Sequence, residues 1–221
     1  MGGWRVILAV GLLTAICGFG QGSANRAITP AATAPIRAML PPNVTVSEKW
    51  HTFVRETVVP LTLAGGAFNA AVSQATNSDP QYGVGSGAYA QRFGASTADI
   101  VTQNFFSDFM MASVFHQDTR YVRRGSAYGG IWKRAGYAVS RAFITHADAG
   151  GNAFNWSNVT GTAMSAAASN VYYPAASRNA SAAALHFGTS VIGVGLVSLF
   201  PEFWPDFHRV LTRHHWILGK P

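Results

Sequence analysis

Three stretches of this 221-residue chain carry no charged side chain at all: Thr57 to Ser78, Ala149 to Ser177 and Asn179 to Pro201. Each exceeds the roughly 20 residues that a helix needs to cross about 30 Å of hydrocarbon. An ordinary surface helix keeps a charged face toward water. These runs therefore restrict the chain to helices set in lipid or helices packed tightly against one another. Small residues recur four apart at Gly161, Ser165 and Ser169, and again at Ala184 and Gly188. That spacing lets two helix backbones approach closely, within one chain or between copies, so a homo-oligomer through these faces is one expectation. Asn, Ser, Thr and Gln interrupt every run, and hydropathy leaves spanning and non-spanning helices both open.

The N-terminus, "MGGWRVILAVGLLTAICGFGQGSANR", combines Arg5, an apolar core and small residues up to Ala24. It reads as an export signal over residues 1–24, cleaved after Ala24, which directs the protein to the periplasm or a cell-envelope membrane. Cys17 follows Ile16 rather than a small residue, which disfavours lipid attachment there. It is also the only cysteine, so the mature chain is held by packing and not by disulfides. Residues 25–46, with four prolines, read as an extended lead segment. Residues 47–221 read as one α-helical domain.

Within that domain, Ser47 and Glu48 signal a helix start, and Pro60 predicts a kink. A second helix is expected from about Ala88 to Phe115, then "IWKRAGYAVSRAFI", "NWSNVTGTAMSAAASNVYY" closed by Pro174, and "SAAALHFGTSVIGVGLVSLF" closed by Pro201. No period-two alternation of useful length occurs. The expected class is all-α, an up-and-down helical bundle rich in Gly and Ala.

The formal net charge of +7 points to an anionic partner. Export removes nucleic acid from consideration and leaves anionic membrane lipid. Up-and-down threading collects most of the basic residues at one end, where "VFHQDTRYVRRG" closes the second helix. The sequence therefore predicts a cationic lip of Arg120, Arg123, Arg124, Lys133 and Arg134 that binds anionic headgroups, with at least one of Arg120, Arg123 and Arg124 held internally by Asp118 or another carboxylate. Trp204 in "FPEFWPDFHR" reads as an interfacial anchor.

Three His and Asp pairs could carry chemistry: His116 with Asp118, His146 with Asp148, and Asp206 with His208. Residues two apart do not share a helix face, so the spacing specifies no metal site. His116 and Asp118 are the candidates for acid-base work, in a hydrolase of phosphorylated envelope lipid as the alternative to a non-enzymatic envelope protein. No Walker loop, HExxH, CxxC or GxSxG is present, and neither a metal nor a cofactor is expected. "SRAFITH" is similar to the Ser-Arg and His motif of type-2 phosphatidic acid phosphatases, in which Arg binds phosphate and His attacks it. Here only four residues separate Arg141 from His146, where that family has five, and its upstream Ser-Gly-His is missing.

Taken in order, "GAYAQRFGAS", "FHQDTRY", "SNVYYP" and "PEFWPD" resemble a family of exported bacterial proteins to which no activity attaches. The resemblance spans about Trp50 to Arg209 and implies export and a single helical domain. It departs at Thr119, where that family has proline, and at His146, where it has no histidine. No catalytic residue carries over.

Overall fold

The computed structural model describes residues 44–78 and 80–218. The export signal and nearly all of the lead segment lie outside them. The described chain is mostly helical. Helix α1 (Val46–Val58) starts one residue ahead of the expected Ser47, because Thr45 is the cap. Its hydroxyl accepts from the Glu48 N–H at 3.2 Å while Glu48 accepts from the Thr45 N–H at 2.8 Å, a reciprocal capping box. At Val59 the backbone turns extended, and Pro60 begins α2 (Pro60–Thr76) instead of merely bending α1. Proline suits a first helical position, where its missing N–H has no partner to lose. Asn77 then closes α2 in the left-handed conformation at φ 47°.

Helix α3 (Ser86–Asn104) continues without a break into a π-helical segment, Phe105–Met111, and ends in a short turn, Ala112–Val114. The widened turn spreads Phe105 and Phe109 against Trp50 and Phe53 of α1, with centroids 5.0–6.4 Å apart. His116 follows at φ 52°, reversing the chain.

The absence of strands expected from the sequence is corrected here. Gln117–Asp118 (β1), Ile144–Ala147 (β2) and Asn152–Phe154 (β3) form an antiparallel sheet in the order β1-β2-β3. Strands this short carry no readable alternation, and they are made by their surroundings. The Gln117 amide donates to Phe154 O, its carbonyl accepts from Ser157 N at 2.9 Å, and Thr145 Oγ1 donates to Asp118 O at 2.8 Å.

Helix α4 (Ile131–Ser140) precedes β2. Helices α5 (Trp156–Ser169) and α6 (Ala180–Val197) are capped by Asn155 and Asn179, whose side chains accept from the N–H groups of Asn158 and Ala182. Helix α7 (Leu199–Leu218) follows α6 almost at once and carries Pro205 inside it. Small residues serve close packing within the chain. A Cβ on Gly161 of α5 would lie 2.5 Å from the Ser107 backbone, and Ser165 Oγ meets Thr102 Oγ1 at 3.0 Å. One on Gly195 of α6 would lie 2.5 Å from Val139 O.

The distribution of polarity is unusual. Among the described residues, buried polar and charged side chains outnumber buried apolar ones, while Trp50, Leu185, Ile192, Trp132, Trp156 and Trp204 are exposed.

Candidate functional site

Two clusters lie side by side where the π segment, the hairpin and the last two helices meet. The first is built on Glu202 of α7, whose side chain is 0% exposed. Its carboxylate accepts from Tyr121 Oη at 2.8 Å, Arg134 Nε at 2.7 Å, and the N–H groups of Arg124 and Gly125 at 2.9 and 3.0 Å. Its carbonyl accepts from Arg123 Nε and Arg134 Nη2. One turn on, Asp206 binds Arg134 at 2.6 Å and Arg123 at 3.2 Å. Four donors converge on this buried carboxylate and offset the loss of its hydration. Burial beside that charge drives the Tyr121 hydroxyl far above its ordinary range.

The second cluster surrounds a cavity of about 30 Å³, lined among others by Asp108, Thr119, Arg141, His146, Asn158 and Ser198. Arg141, 8% exposed, closes α4. Its guanidinium lies over the Tyr137 ring at 4.8 Å, and Nη1 stands 3.4 Å from both ring nitrogens of His146. Among the described residues Arg141 Nε has no hydrogen-bond partner, and no carboxylate pairs with this guanidinium. Burial, then the Arg141 charge, holds the His146 imidazole down at about 4. Burial acts oppositely on Asp108 of the π segment and raises its carboxyl to about 7, a hydrogen bond to Thr119 opposing it. Glu56 on α1 is likewise raised, by burial first and by Asp108 second.

The residues singled out from the sequence fall into different places. Asp118 and His146 are register partners on β1 and β2. Both Asp118 oxygens are taken by Arg120, from Nε at 2.8 Å and Nη2 at 2.6 Å, so the expected internal arginine is Arg120. His116 is exposed, and its carbonyl accepts from Asp148 N. Asp148 pairs with Lys49 at 2.7 Å, and His208 is exposed. Among the described residues no group of three or more His, Cys, Asp or Glu side chains could hold a metal ion.

The expected cationic lip divides. Arg123 and Arg134 are each 5% exposed and belong to Glu202 and Asp206 instead of the surface. Arg124 lies over Tyr128 and Tyr137 at 4.8 and 4.6 Å. Lys133 remains exposed, over Tyr128.

Comparison with protein-family models, curated proteins and solved structures yields no match. The geometry therefore carries the functional argument alone. Sequence reasoning missed Glu202, Asp108 and the solitary state of Arg141. One signal for Glu202 was available: the chain has only 9 acidic residues against 16 basic ones, so an acid beside an uncharged helix is a candidate for internal pairing.

Proposed function

We propose that this chain is an exported cell-envelope protein that sits in a membrane through the outward face of α6 and α7. The observation that carries the reading is the apolar stretch Ala180–Val210, long enough to cross a bilayer, of whose most apolar part only 22% is buried. A core helix of that composition would be mostly covered by its own protein. Here Leu185, Ile192, Phe200, Trp204, Phe207 and Val210 are exposed, while Gly193, Gly195, Ser198 and Glu202 face inward. Lipid is the fitting occupant because the stretch is uncharged from Asn179 to Pro201 and is bracketed by exposed Arg178 and Arg209. Cations at the margins of an apolar band reach anionic headgroups, and Trp204 sits where an interfacial ring belongs. A second apolar stripe, Val46, Trp50, Val54 and Val58 on α1, adds exposed area of the same kind.

Because Arg123 and Arg134 are spent internally, attachment rests on apolar burial more than on charge. Washed membranes should keep the protein in 1 M salt, where the screening length is about 3 Å, and yield it to detergent. Complete release by salt would overturn the lipid-facing assignment. The export step has its own check: the mature protein should begin at Asn25 by mass spectrometry, and a product retaining Met1 to Ala24 would remove it.

A further inference from the structure

We propose that the cavity beside Arg141 binds a phosphate-type oxoanion, either free phosphate or the headgroup of a phosphomonoester lipid. The other two buried guanidiniums of this region have carboxylates, Arg123 with Asp206 and Arg134 with Glu202 and Asp206, and the half-buried Arg120 pairs with Asp118. The half-buried Arg124 lies over Tyr128 and Tyr137. Arg141 has an aromatic ring and a neutral imidazole, and its Nε donates to nothing. A buried cation without a counter-charge is costly, and a structure that retains one gains when an anion arrives.

The surroundings fit that anion. A cavity of about 30 Å³ exceeds the ~10–15 Å³ that one water requires, so the space beside Arg141 can admit a small polar guest. Its donors come from several directions. The amides of Asn155 and Asn158 each donate one N–H to a backbone carbonyl, Arg141 O and Ala142 O, and retain a second. Thr119 and Arg120 line the side toward β1, where Arg120 Nε and Nη2 are held by Asp118, and Ser198, whose hydroxyl donates to Val194 O at 2.8 Å, lines the side toward α6. Converging donors around a planar guanidinium suit the several oxygens of a phosphate better than the two coplanar oxygens of a carboxylate. Asp108, raised to about 7, is substantially protonated at neutral pH and then opposes no anion. The site does not depend on the membrane reading.

The test is thermal melting of the purified full chain in detergent. It compares inorganic phosphate, a short-chain phosphomonoester lipid, and acetate or chloride at matched ionic strength. Phosphate or the lipid at a hundred times its Kd should raise the Tm by roughly 5–10 °C, with acetate and chloride inert. A rise with phosphate assigns the site to the free ion; a rise with the lipid alone assigns it to a headgroup. Arg141→Met should lose the response and, with the buried charge gone, melt no lower than the parent in anion-free buffer. Should that variant fail to fold, Arg141→Lys keeps the charge without the fork and should weaken the response at least tenfold in Kd. Absence of a rise with both phosphate species, an equal rise with acetate, or a full response in the arginine variants would overturn the site.

Discussion

Glu202 shows how far a single side chain can organise a region whose sequence advertised something else. The motif "PEFWPD" reads as an interfacial anchor on the strength of its aromatics, and Trp204 is indeed exposed. The same few residues also supply the acid at the centre of the arginine cluster. Sequence spacing could not reveal this, because the partners Tyr121, Arg124, Gly125 and Arg134 lie 68 to 81 positions away. Glu202→Gln replaces one acceptor oxygen by a donor that faces other donors and leaves Arg134 with Asp206 alone. Breaking a buried pair of this kind costs about 3–5 kcal/mol. The Tm should fall by roughly 6–20 °C at 2–4 °C per kcal/mol for a chain this size, and a variant melting within 2 °C of the parent would show that the network is dispensable. Asp118→Ala should also destabilise, since Arg120 then loses both of its carboxylate bonds. Arg123, expected from sequence to be a surface contact, belongs with the destabilising positions because it is buried against α7.

At the level of elements, most helices were legible and their interruptions were not. Uncharged runs located the residues of α2, α5 and α6, but α2 reads from sequence as a kinked continuation of α1, and Pro201, expected to close the last helix, lies inside α7. No period separates a π segment from an α-helix, and strands of two to four residues carry no pattern. The packing of the π segment is visible only in three dimensions, where the Ser107 backbone approaches Gly161 so closely that α5 tolerates no Cβ there. Gly161→Ala should therefore destabilise by about 1–3 kcal/mol through overpacking. Gly188→Ala, where nothing lies within 4 Å, should stabilise by up to ~1 kcal/mol because alanine favours the helix. Thermal melts of the two variants should move in opposite directions. Matched losses would mean that α6 is packed as closely at Gly188 as α5 is at Gly161.

For the whole molecule, the two titrating groups at the cavity oppose each other in a pH profile. Asp108 binds its proton more tightly folded than unfolded, so its contribution is present at low pH and is lost as pH rises from about 4 to about 7. His146 binds its proton less tightly folded, so its contribution is present above about 6.5 and is lost as pH falls toward 4. At ~1.4 kcal/mol per unit, Asp108 is worth at most about 4 kcal/mol and His146 at most about 3.5 kcal/mol. Relative to the parent, Asp108→Asn should gain stability as pH climbs from 4 to 7, and His146→Gln should gain it as pH falls from 6.5 to 4. Denaturant midpoints across that range check both slopes, and parallel profiles would show that neither group titrates as its burial implies. The inward placement of polar groups also bears on the order in which the chain assembles. Arg92 of α3 is 0% exposed, and it donates to Ser73, Gln74, Asn77, Ser78, Pro80 and Gly83, each within 19 positions. Contacts that local close with little loss of chain entropy. The α2–α3 hairpin can thus lock while the rest is still being made, whereas Arg123 and Arg134 must wait for α7. A chain interrupted before Leu199 would hold a finished hairpin and two arginines without their carboxylates, which makes the arrival of α7 the step that closes this region.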